Sequence, residues 1–275
     1  MKEDLGSFDA PFFSIKPAEA LSMDPLQRKL LEVTYRALEN AGIPLEKISG
    51  SKTSVYTASF ADDYRLLLHR DTERIPKYAF TGTTASFLAN RISWFYNLKG
   101  PSLTLDTACS GGLVAIDHAC QSLRNGDCSM SIVGGGNIIL DPSNLVSMSN
   151  VNFFSPDSRC FSFDHRANGY SQGEGVGVVV LQRLSDAIRD NNCIRAVIRS
   201  TGTSSNGYSP GITRPDPLSQ EQLIRSTYSK AGLALGLTRY FEAHATGTAL
   251  GDPIEALAIG AVFRNQRECG EPIYV

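Results

Sequence analysis

Short runs that are apolar on successive positions recur through this chain, separated by longer stretches with helical spacing. That alternation narrows the possible folds more than any other feature. Thr53-Ser-Val-Tyr-Thr57, Met130-Ser-Ile-Val133, Val178 to Leu181 and Ile194 to Thr201 read as strands, and Leu103 and Leu105 close a further one. Strands apolar throughout need cover on both faces, and strands joined through helices run parallel. The expectation is an α/β fold with a largely parallel, covered sheet.

The helices carry their own start and stop signals. Asp24 reads as an N-cap, with Pro25 at the first helical position and Gln27 three residues after the cap. Leu26, Leu30, Val33, Ala37, Leu38 and Ala41 then repeat at helical spacing until Gly42 and Pro44 end the helix. Thr81 to Phe95 reads as one helix, and Leu113 to Leu123 as another that closes at Asn125-Gly126. Ser185 is expected to cap a short helix ending near Asn191. Ser219-Gln-Glu-Gln222 and Asp252-Pro-Ile-Glu255 read as capping boxes for helices over 223–231 and up to Phe263. Tyr240-Phe241 and Ile273-Tyr-Val275 read as strand segments, and Asn206 to Pro217 as a surface loop. The aromatic stretch Phe8 to Phe13 is expected to pack on something outside itself, and Asp62 to Arg74, with a solvated His69, to cover the surface.

One position carries chemistry. In Leu103-Thr-Leu-Asp-Thr-Ala-Cys-Ser-Gly-Gly112, Cys109 stands where a strand turns into a buried helix. The free N–H groups of a helix start favour a thiolate and can hold an oxyanion. The following glycines let a thioester approach the backbone. Cys109 can therefore be a nucleophile; it can also be one more buried thiol. His244, in Glu242-Ala-His-Ala-Thr-Gly-Thr248, sits at a strand end, where imidazole can donate a hydrogen bond or move a proton. A satisfied buried histidine is the alternative. Thr246 and Thr248 alternate across Gly247 and could both donate to a polar ligand arm.

Several functions are excluded. A net charge of −2 predicts no nucleic-acid partner and no anionic membrane surface. No apolar run approaches a transmembrane span, and Met1-Lys-Glu-Asp-Leu-Gly has no signal-peptide core. The six cysteines, at 109, 120, 128, 160, 193 and 269, include no Cys-X-X-Cys pair, so reduced thiols in a cytoplasmic protein are expected. Cys160 and His165 share the polar loop Ser155 to Asp164, but no further ligand stands at suitable spacing, so no metal is expected. Gly134-Gly-Gly136 and Gly173-Glu-Gly-Val-Gly177 lack the G-x-G-x-x-G spacing of a nucleotide loop, and the first reads as a close backbone approach beside the active site.

Met23-Asp-Pro-Leu-Gln-Arg28, Ala89-Asn-Arg-Ile-Ser-Trp94, Gly100-Pro-Ser102, Asp106-Thr-Ala-Cys109, Gly169-Tyr-Ser-Gln-Gly-Glu-Gly175 and Glu242 to Thr248 stand in that order. Together they resemble the β-ketoacyl synthase domain of polyketide and fatty acid synthases, most closely the iterative, highly reducing polyketide synthases of fungi. The resemblance covers essentially the whole chain. It implies a thiolase-like, five-layered αβαβα fold, of which this chain supplies the first βαβαβ half, roughly residues 1–190, and the start of the second, 191–275. It implies that Cys109 takes an acyl chain and that His244 assists decarboxylation of a malonyl-type thioester. Thr246 and Thr248 would then bond the phosphopantetheine arm of an acyl carrier protein, with no covalently bound cofactor. It also implies a homodimer, with 81–95 and 103–105 near its interface, and neighbouring polyketide synthase domains in one polypeptide.

Two departures from the family pattern stand out. Gly111-Gly112 replaces the usual Ser-Ser, and Asp117, with His118 beside it, replaces a histidine one turn on. The methyl of Ala245, where other members carry glycine, is expected to be tolerated. The resemblance places a Lys-bearing segment, a second histidine and a Gly/Phe-rich loop past Val275. A non-catalytic remnant that at most dimerises or captures acyl groups is therefore the second expectation for these 275 residues.

Overall fold

The computed structural model describes residues 4–266 and 271–275. The chain forms two compact units: Met1–Pro142 with Gly173–Val197, and Ser143–Gln172 with Ile198–Val275.

The first unit is built on a four-stranded sheet in the order β2-β1-β3-β4, with β1 at Thr53–Ala58, β2 at Ser102–Leu105, β3 at Met130–Asn137 and β4 at Gly175–Gln182. β1 runs parallel to β2 and β3, while β4 pairs antiparallel with β3, so the sheet is mixed. All six residues of β1 are buried, as a strand between two neighbours and two helical layers requires. Alternation sends Val55 and Ile132 into one core with helix α1 (Pro25–Asn40) and helix α2 (Ser86–Phe95). Tyr56 and Val133 face the other way, onto Ala115 and Ala119 of helix α3 (Gly111–Asn125). The glycines at 134–136 belong to β3 itself. A Cβ on Gly136 would lie 2.8 Å from Leu26 Cδ1 and from the Gly175 carbonyl, and one on Gly134 3.0 Å from Leu30 Cδ2. The close approach they permit is of α1 and β4 to the sheet.

Helix α1 starts where expected, with the Asp24 carboxylate accepting the Leu26 N–H at 2.8 Å. Gln27 does not complete a capping box. The Asp24 N–H donates to the Gly82 carbonyl, and the Gln27 amide donates to the Thr81 carbonyl at 3.2 Å. Gln27 in turn accepts from Arg91 Nε at 3.1 Å, and Arg91 reaches Glu19 at 2.5 Å and the Thr81 carbonyl at 3.2 Å. This buried network breaks the expected helix over 81–95: Ala79–Thr83 forms one short helix, Thr84 is extended, and α2 begins at Ser86. Phe12 packs edge-on to Tyr35 of α1 and Phe13 packs on Phe95 of α2, so the aromatic stretch finds its cover within this unit.

In the second unit, helix α4 (Pro217–Ala231) packs on helix α5 (Gly251–Phe263) through Ile224, Tyr228, Ile259, Val262 and Phe263. The N-cap of α4 is Asp216, which accepts the Ser219 N–H at 2.7 Å; Ser219 lies inside the helix because Pro217 already occupies its first position. Two expected strands do not form. Residues 194–201 carry no regular element, and Ile194, Val197 and Ile198 are exposed; apolarity alone makes no ladder without a neighbouring strand. Tyr240 and Tyr274 share only a single bridge. Among the described residues, no helix is long and apolar enough to cross a membrane.

Burial pushes the Asp24 carboxyl up to about 6; the Leu26 N–H and Arg28 pull it down and Asp63 adds to the rise. A raised carboxyl contributes stability that is complete below about pH 4 and lost as pH climbs through 6, a difference of at most about 3 kcal/mol. Asp24→Asn keeps a capping oxygen without the buried charge. Its expected result is a gain of about 1–3 kcal/mol over wild type at pH 8 that vanishes by pH 4. Denaturant unfolding across that pH range measures the gap, and a variant weaker than wild type at pH 8 contradicts the assignment.

Candidate active site

Beyond Leu105 the chain makes one tight turn, Ala108–Ser110, before α3 begins at Gly111. Ala108 is held at φ 51°, with the Asp106 carboxylate accepting its N–H at 3.0 Å. Ser110 Oγ donates back to the Thr107 carbonyl at 2.8 Å. The turn thus spends its polar groups on itself and leaves Cys109 exposed, not buried as the sequence suggests. Behind it, α3 seats Ala115, Ala119 and Leu123 against the sheet and ends at Gly126, φ 77°. A Cβ on Gly111 would lie 2.9 Å from the Cβ of Ala58 in β1, so this residue must be small for α3 to reach the sheet. Gly112 has no such neighbour. Asp117 is buried and accepts from Gln121, while His118 stacks on Tyr56. Cys120 and Cys128 are buried, Cys160 and Cys193 are exposed, and Cys269 lies outside the described residues.

His244, Thr246 and Thr248 belong to the second unit, on the irregular segment leading into α5. Two carboxylates from the first turn and a half of α5 hold that segment. Glu255 accepts the N–H of His244 at 2.7 Å and of Ala245 at 2.8 Å. Buried Asp252 accepts the N–H of Gly247 at 3.0 Å, of Thr248 at 3.3 Å and of Phe163 at 2.8 Å. From the other side Ser162 Oγ donates to the Ala245 carbonyl at 2.6 Å, and the Gly169 N–H donates to the Gly247 carbonyl. The His244 imidazole stands exposed on this frame, not buried. Ala245 sits at φ 44°, a left-handed conformation that costs a residue with a Cβ about 1 kcal/mol. Its methyl is tolerated at a price glycine would not incur. Gly247, at φ 76°, could not carry a Cβ, which would fall 2.7 Å from the Phe161 nitrogen. Thr246 and Thr248 hydroxyls lie 3.3 Å apart, and Thr248 Oγ1 also accepts the Gly251 N–H, leaving its proton for Thr246 or a ligand.

Asp252 and Glu255 are the functional residues that a capping-box reading misplaces. The spacing shows two acids at a helix start; it does not show that the amides they accept belong to the preceding loop and to residue 163. In the loop before Gly169, Arg166 pairs with Asp164, lies over the Phe161 ring, and holds the Asp164 carboxyl well below the usual range through its hydrogen bonds. His165 contacts the same carboxylate. No metal-holding cluster occurs among the described residues.

A sheet covered by helices on both faces, with a cysteine at a strand-to-helix turn, defines a thiolase-like condensing fold. A ketosynthase from module 6 of the bacillaene synthase of Bacillus subtilis 168 superposes with a TM-score of 0.90 at 38% identity, over 97% of this chain and 46% of that one. Residues 1–187 match the N-terminal domain of β-ketoacyl synthases and residues 195–275 the C-terminal domain, so the chain belongs to the β-ketoacyl synthase family. It is 52% identical over 276 residues to a reducing polyketide synthase of Alternaria solani and 49% identical over 276 residues to highly reducing polyketide synthase 2 of Gibberella zeae. Both matches cover 100% of this chain, which spans only 12% and 11% of those proteins.

Asp252→Asn replaces one acceptor oxygen by a donor that faces an N–H. Its expected cost is about 2 kcal/mol, with faster hydrogen exchange at the amides of Phe163, Gly247 and Thr248. Unchanged exchange at those three amides contradicts the anchoring role of Asp252.

Proposed function

We propose that this chain is the ketosynthase portion of a reducing polyketide synthase and catalyses chain elongation by decarboxylative condensation. The observation that carries this is family membership along the whole chain with an exposed cysteine held at the turn before α3. The Cys109 thiolate attacks the thioester of an acyl group borne on the phosphopantetheine of an acyl carrier protein. The new S–C bond forms as the carrier's C–S bond breaks, and the carrier thiol leaves with the proton Cys109 gave up. A malonyl-type carrier thioester then loses carbon dioxide, and its enolate carbon attacks the Cys109 thioester, expelling the thiolate. Negative charge grows on a thioester oxygen in each step, so donors fixed beforehand dominate the rate. The Cys109 N–H is one such donor, and His244 Nε2–H is assigned to the enolate oxygen. Thr246 and Thr248 are assigned to the phosphopantetheine arm, supported by the free proton on their paired hydroxyls.

The same reading takes residues 1–190 as the N-terminal half of a ketosynthase and 191–275 as the start of its C-terminal half. It places the protein in the cytoplasm, alongside carrier and other synthase domains. Exposure alone does not distinguish Cys109 from Cys160 and Cys193, so a difference in their reactivity is chemical. Iodoacetamide near neutral pH is expected to label Cys109 first. Supplied with acyl and malonyl carrier thioesters, Cys109→Ala is expected to lose acylation, while His244→Ala stays acylated and loses about 10²–10³ in condensation rate. Equal labelling of the three thiols, or condensation by Cys109→Ala, overturns the reading.

A homodimer belongs to this proposal. β2 is a sheet edge with no outer partner, and Leu103 and Leu113 nearby in sequence are exposed. Unprotected edges and apolar patches of this kind are covered in stable proteins. Sedimentation is expected to give a dimer that dissociates when Leu103 is replaced by Asp; a concentration-independent monomer counts against it.

A further inference from the structure

The two glycines after Cys109-Ser110 look alike in sequence, yet only one is explained by the fold. Gly111 is required by its contact with Ala58. Gly112 is not: a Cβ there would meet nothing within 4 Å, and the residue is exposed. Its φ is not in the left-handed region, so backbone conformation makes no demand for glycine either. It stands in the first turn of α3, where alanine is a better helix former. Packing, conformation and helix propensity all argue for a larger residue.

The direction of the missing side chain supplies a reason for glycine. Along a helix every Cα–Cβ bond tilts toward the N-terminus, and residues three apart share a face. A side chain at 112 would therefore lean back over the turn that holds Cys109. We infer that Gly112 keeps open the space beside the Cys109 sulfur that a branch on the α-carbon of a bound acyl group occupies, and so admits α-branched acyl chains to the enzyme. The inference rests on the acyl-transfer reading above. A straight acyl chain places only a methylene next to the thioester carbonyl. An α-methyl branch adds a group the size of an alanine side chain, and the two would compete for one volume.

Acyl transfer from N-acetylcysteamine thioesters tests this without a carrier protein. Cys109 Sγ bonds to the acyl carbon, the donor's C–S bond breaks, and N-acetylcysteamine leaves carrying the thiol proton. Acylation of the protein by butyryl and by 2-methylbutyryl thioesters is followed by intact mass, with Cys109→Ala marking the site. Wild type is expected to accept both. Gly112→Ala is expected to change butyryl transfer by less than about twofold and to slow 2-methylbutyryl transfer by tenfold or more, the range one methyl commands in a packed site. The thermal midpoint of Gly112→Ala is expected to match or exceed wild type, which separates a lost fit from a lost fold. Equal effects on the two thioesters, or no effect on either, overturn this inference and leave acyl transfer standing. Failure of wild type to take either group on Cys109 overturns both.

Discussion

The distance between two small residues governs the front of the first unit. Ala58 ends the buried central strand and Gly111 begins α3, and the room between them is too small for another Cβ. That contact sets how far α3 slides along the sheet, and the turn before it has no freedom left. Ala108 takes up the resulting bend in a left-handed conformation, with Asp106 and Thr107 satisfying the polar groups of the turn. Strain of this kind survives only where packing on both sides enforces it. Here the packing is β1 and β2 on one side and the Ala115–Ala119 face of α3 on the other.

The second unit reaches a comparable result by electrostatics. The segment 244–248 is irregular and would be mobile if its amides faced water. Asp252 and Glu255 instead gather five of the N–H groups around it, four from the segment and one from Phe163. Carboxylates at a helix start are favoured by its dipole, so the same charges serve the helix and the loop. Ala245 shows what this frame can enforce, since its left-handed backbone is held against a steric penalty.

Much of the architecture is legible in the residues because it follows local rules. The cap at Asp24, the helix stop at Gly126 and the buried strands at 53–57 and 130–133 all depend on neighbours in sequence. The strand-to-helix turn at Cys109 is legible for the same reason. What escapes local reading is the identity of distant partners. Gln27 has the spacing of a capping box but bonds the Thr81 carbonyl, 54 residues away. Asp252 bonds an amide 89 residues before it. Residues 194–201 have the composition of a strand but no adjacent strand among the described residues. Exposure is equally non-local: whether Cys109 and His244 are covered depends on surfaces that composition does not describe.

The buried cluster of Glu19, Gln27 and Arg91 has a consequence for how this chain can vary. Arg91 is buried, and its charge is acceptable only because Glu19, the Gln27 amide and the Thr81 carbonyl surround it. Removing one partner strands the others away from water, which is far more damaging than replacing all of them together. Positions 19, 27 and 91 therefore constitute a single unit of inheritance: drift at one is constrained until the others change with it.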